Sequence, residues 1–79
     1  MTFNNTYYLL DFDKFDLILE ANTFTVSKFS KFCKVTPPQF SKARHSEAGF
    51  SMATVGIILE TTNKLFEKKL VLSDLFRRK

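Results

Sequence analysis

The sequence predicts an all-α domain, a compact bundle of about five short helices, and three observations carry that prediction. Apolar residues recur at three- and four-residue intervals through most of the chain, and capping residues stand before several of these runs. Only two glycines and two prolines punctuate the 79 residues, which leaves little room for a loop-rich fold. The composition is 44% hydrophobic, with ten phenylalanines and no tryptophan. A chain of this size sits near the limit at which one core yields only a few kcal/mol of net stability, so residues 1–79 are expected to form a single, densely packed domain.

The first helix is placed over "DFDKFDLILEAN". Phe12, Phe15, Ile18 and Leu19 share a face there, Asp11 or Asp13 suits the N-terminus, and the end falls near Asn22. The preceding "NNTYYLL" is a brief apolar run that fits a helical extension or a short strand, and the extension is the reading adopted. Thr25 can cap a second helix that turns Val26, Phe29, Phe32 and Cys33 inward and stops near Lys34. In "TPPQF", Thr36 is the next N-cap, Gln39 completes a capping box, and Pro37 takes the first helical position. Pro38 still lies in the first turn, where a missing N–H costs little. The third helix then runs to about His45 with Phe40 and Ala43 inward.

After "SEAG", Ser51 can cap a fourth helix with Met52, Val55, Ile58, Leu59 and Thr62 inward, continuing toward Leu65 and Phe66. Gly56 within it costs up to about 1 kcal/mol relative to alanine, and would permit close approach of a neighbouring helix. A last helix over about 70–79, capped by Ser73, offers Leu70, Leu72, Leu75 and Phe76. That is more apolar surface than a core of this size needs, which predicts a homodimer interface.

Charge is segregated. Residues 1–24 set Lys14 against Asp11, Asp13, Asp16 and Glu20, whereas residues 25–46 hold Lys28, Lys31, Lys34, Lys42 and Arg44 with no acidic residue. The end of the chain is basic again. The net charge of +4 is modest, but its concentration on one block predicts one positive surface. Several chemistries are disfavoured. Cys33 stands alone, so no intramolecular disulfide and no Cys/His metal motif is expected. Asp11, Asp13 and Asp16 lack a nearby histidine or glycine-rich phosphate loop, and lone His45 reads as a surface residue, so no enzyme activity and no cofactor is expected. The N-terminus has no basic region before an apolar stretch, and no apolar run reaches membrane-spanning length, which predicts a cytoplasmic protein.

Two short helices joined by a tight turn, on a basic segment, resemble the helix-turn-helix of the Cro/C1-type (lambda-repressor-like) DNA-binding family. Phe29 stands at the inward position before the small Ser30, Cys33 and Val35 flank the turn, and Phe40 and Ala43 fall where the recognition helix packs inward. Phe15 and Ile18 match the first-helix core, and Ser51 to Leu59 match the fourth helix. The resemblance covers about residues 12–76, with the helix-turn-helix at about 25–45. Two positions depart from the pattern. Lys34 holds the turn position usually taken by glycine, at a penalty of roughly 1–2 kcal/mol if the backbone is left-handed. Pro37 and Pro38 hold positions where base-reading polar side chains are common.

The resemblance implies a double-stranded DNA-binding transcriptional regulator, a small phage- or plasmid-type repressor acting as a dimer in a bacterial or infected-host cytoplasm. In that docking mode Gln39 and Lys42 reach base edges, Gln pairing bidentately with adenine and Lys with guanine, while Pro37 and Pro38 meet thymine methyls. Thr25, Ser27, Lys28, Lys31, Arg44 and His45 are then the phosphate contacts. The alternative is a helix-turn-helix that binds a protein partner, as an antitoxin or an inhibitor of a host defence nuclease does.

Overall fold

The computed structural model describes residues 7–46 and 48–78, which form a mixed α/β fold. The described residues hold helices α1 (Phe12–Ala21), α2 (Val26–Ser30), α3 (Pro37–Ser46), α4 (Met52–Phe66) and α5 (Leu72–Leu75). They also hold the strands β1 (Tyr7–Leu10), β2 (Phe50–Ser51) and β3 (Phe76–Arg78). The all-α expectation is therefore corrected. β1 takes the centre of an antiparallel sheet ordered β2-β1-β3. Tyr7 opposes Ser51 and Tyr8 opposes Phe50 on one side, while Tyr8, Leu9 and Leu10 oppose Arg78, Arg77 and Phe76 on the other. Partners directly opposite each other share a face, which puts Leu10, Phe50 and Phe76 together in the core. Residues 7–10 are thus strand, not a helical extension. With two and three residues, β2 and β3 are too short for period-two alternation to show in a sequence.

The helices begin where their caps stand. Asp11 accepts the Lys14 N–H at 3.2 Å and Thr25 Oγ1 accepts the Lys28 N–H at 3.1 Å. Ser51 caps α4 more loosely, its hydroxyl 3.5 Å from the Thr54 nitrogen. The C-terminal helix departs from expectation. It is four residues long, starts after Val71, and has the Asp74 carboxylate accepting the Val71 N–H at 2.9 Å, with Ser73 inside it. Leu75 and Phe76 are buried, and Leu70 and Leu72 pack half-buried against the same core. Of the apolar residues assigned to a dimer interface, Leu75 and Phe76 are thus taken up by the chain's own core, while Val71 beside them is exposed.

That interior is aromatic. The Phe15 ring meets Phe29 edge-on at 5.1 Å and stacks on Phe40 at 5.7 Å, so one side chain from each of α1, α2 and α3 meets at one point. Phe66 of α4 lies 6.3 Å from Phe29, and Phe50 of β2 lies 6.0 Å from Phe40. Thr62, fully buried, keeps its hydroxyl satisfied by donating to the Ile58 carbonyl at 2.8 Å. Three expected placements change. Phe32 lies beyond the end of α2 and is 54% exposed, Met52 is 56% exposed at the first turn of α4, and nothing approaches Gly56 within 4 Å of where a Cβ would stand. Lys34 does not carry the left-handed backbone, which falls on Thr23 (φ 58°) and Glu67 (φ 52°). The turn between α2 and α3 therefore lacks the strain its sequence allowed for.

Candidate nucleic-acid interface

α3 rests on the core through Phe40 and Ala43, and its remaining surface faces solvent. Pro38, Ser41, Lys42 and His45, spaced three, four and seven residues on from Pro38, form its outermost stripe, and each is exposed. Ser41 was not singled out from the sequence; the three-residue step from Pro38 is the signal that points to it. Gln39 and Lys42 do come together, lining one depression with Ala48, Gly49 and Phe50 at the α3–β2 connection. Pro37 lies on the other flank, in a shallow groove shared with Ser27, Lys31, Lys34 and Thr36. Lys34, counted in the basic block but given no contact by the sequence, lies on this same groove.

The N-terminal turn of α3 has an unusual hydrogen-bonding character. Pro37 and Pro38 have no N–H, and the Gln39 and Phe40 amides both donate to the Thr36 carbonyl, at 3.0 and 3.2 Å. The helix end therefore offers no free amide to an anion, unlike most helix N-termini. The Gln39 side chain folds back over this end. Its Oε1 accepts the Thr36 N–H at 2.8 Å and the Thr36 hydroxyl proton at 3.1 Å. A backbone N–H can only donate, which fixes the atom facing it as the oxygen.

The phosphate candidates divide. Thr25, Ser27, Lys28 and Lys31 are exposed at α2 and the start of the turn, and His45 is exposed near the end of α3. Lys28 places its ammonium 4.6 Å from the Phe24 ring centroid, a cation–π contact made by the charged group itself on an exposed side chain. Arg44, expected as a phosphate contact, is the one candidate engaged in an ion pair among the described residues. Its guanidinium grips Asp16 bidentately, at 2.7 and 2.9 Å, and lies 4.3 Å over the Phe12 ring. The hydrogen bonds to Asp16 raise its pKa further above the ordinary guanidinium value. Arg44 thereby clamps α3 to α1. No ion-pair partner is found for Lys28, Lys31, Lys34 or Lys42 among the described residues.

No family model, curated protein or solved structure matches the chain. The site must therefore be read from its own chemistry. Cys33, half-buried, donates its thiol weakly to the Val35 carbonyl at 3.8 Å, and burial raises its pKa, which leaves it a poor nucleophile at neutral pH. Among the described residues, no three His, Cys, Asp or Glu side chains gather as a metal site requires. No helix of the described residues is long and apolar enough to cross a membrane.

Proposed function

We propose that the chain is a cytoplasmic helix-turn-helix protein that binds double-stranded DNA, with α3 in the major groove and α2 across the backbone. The observation that carries this reading is the set of four exposed lysines, Lys28, Lys31, Lys34 and Lys42, around α2 and α3 with no salt-bridge partner among the described residues. Phosphate neutralisation is the use to which such a surface is suited. Regulation as a small repressor follows if the site lies upstream of its own gene.

Binding two half-sites about 34–36 Å apart requires a dimer. Since Leu75 and Phe76 are core, the interface falls on the groove where exposed Phe32 and Ile57 flank Ala53 and Gly56, with Glu60 and Thr61 in the same wall. Protruding and hollow apolar positions make this surface complementary to a second copy of itself across a two-fold axis.

Binding to a duplex selected from random sequence, followed as salt is raised, tests the DNA reading. The logarithm of the affinity is expected to fall linearly and steeply with the logarithm of salt, and Lys28→Ala to flatten the slope by about one unit. Arg44→Ala is expected to leave the slope unchanged and to lower thermal stability by up to about 1 kcal/mol, as a clamp at the surface does. A shallow salt dependence with no preferred duplex counts for the protein-binding alternative.

A further inference from the structure

We propose that Gln39 reads bases as a donor only, and that the α3 tip selects thymine and guanine edges instead of pairing bidentately with adenine. The inference rests on the DNA-binding reading and sharpens it. A bidentate glutamine–adenine pair needs Nε2 donating to N7 and Oε1 accepting from N6. The Gln39 oxygen has two lone pairs, and two donors of Thr36 face it, the backbone N–H at 2.8 Å and the hydroxyl at 3.1 Å. Its acceptor capacity is filled by the helix cap. Only the Nε2 donors remain.

The neighbouring groups point the same way. Pro37 and Pro38 expose apolar rings and carry no N–H, and the Lys42 ammonium donates without accepting. From Pro37 to Lys42 the side chains aimed outward are thus methyl-seeking or donating, Ser41 alone keeping an acceptor. In the major groove thymine presents a methyl beside the O4 acceptor, and guanine presents O6 and N7 acceptors. Cytosine presents a donor, and adenine sets a donor beside its acceptor. A surface of apolar rings and donors complements the first pair and leaves the exocyclic amino groups of the second without partners.

Two measurements on the selected duplex test this. Replacing thymidine by deoxyuridine at each position in turn removes only the methyl, and is expected to weaken binding roughly fourfold at each position touched by Pro37 or Pro38. Gln39→Glu keeps a carboxylate oxygen for the Thr36 cap, so the melting temperature is expected to hold, while the donor is lost. The ratio of affinities for the selected duplex over one with cytosine in place of a contacted thymine or guanine is expected to fall about tenfold. The ratio is the informative quantity, because the added negative charge weakens binding to every duplex alike. Steep salt-dependent binding with no deoxyuridine effect and an unchanged ratio overturns the donor-only assignment and leaves DNA binding standing. Absence of salt-sensitive DNA binding overturns both.

Discussion

At the scale of single residues, backbone conformation decides two helix ends. Both α1 and α4 close on a left-handed residue, Thr23 at φ 58° and Glu67 at φ 52°, at positions that glycine usually fills. A β-branched side chain is especially ill-suited there. Thr23→Gly is expected to stabilise the protein by about 1 kcal/mol, the relief of left-handed strain outweighing the extra entropy of glycine in the unfolded chain. In a domain of this size that raises the melting temperature by about 4–8 °C, and an unchanged or lower midpoint by calorimetry refutes the account. Gln39 shows what local reading can miss. Its sequence neighbours call for a cap at Thr36, and the proposed DNA-binding reading asks the same side chain to read a base, but both demands fall on one oxygen. The cap holds it, since Thr36 is only three residues away.

At the scale of elements, the starts of the first four helices were legible, and the C-terminal helix and the strands were not. Asp11, Thr25, Thr36 and Ser51 mark helix starts that the structure keeps, because a cap and the turn it serves lie within three residues. The register of β1 depends on segments at Phe50 and Phe76, whose own lengths carry no periodic signal. One glycine fixes that pairing. A Cβ on Gly49 would stand 2.6 Å from the Tyr7 Cβ and 3.3 Å from the Tyr8 nitrogen, so the bare backbone is what lets β1 approach the chain just before β2. Gly49→Ala is expected to cost about 1–3 kcal/mol, read as a lower urea midpoint. Because β2 leads directly into α4, and Phe50 packs on Phe40, the same substitution is expected to loosen the α3–β2 corner where Gln39 and Lys42 meet. A midpoint equal to the parent's overturns this role for Gly49.

At the scale of the whole molecule, one aromatic cluster joins the basic helix pair to the sheet. Phe15, Phe29 and Phe40 fix α1, α2 and α3, Phe50 reaches the sheet, and Phe66 reaches α4. The Arg44–Asp16 clamp closes the same assembly from outside. Packed so, the chain leaves Phe32 and Ile57 on a face that its own core does not use. Ile57→Glu is expected to convert the proposed dimer to a monomer by light scattering, with the unfolding free energy within about 1 kcal/mol of the parent, whereas an unchanged dimer removes this groove from the interface. The sequence by itself determined the starts of α1 to α4, the apolar faces of α1 and α3, and the basic block from Lys28 to Lys42, because these depend on neighbours within a turn or two. Tertiary structure alone decided the sheet, the absorption of Leu75 and Phe76 into the core, and the capture of Arg44 by Asp16, 28 residues away. These depend on which distant segments the buried phenylalanines bring together, and the spacing of residues along a chain does not record that.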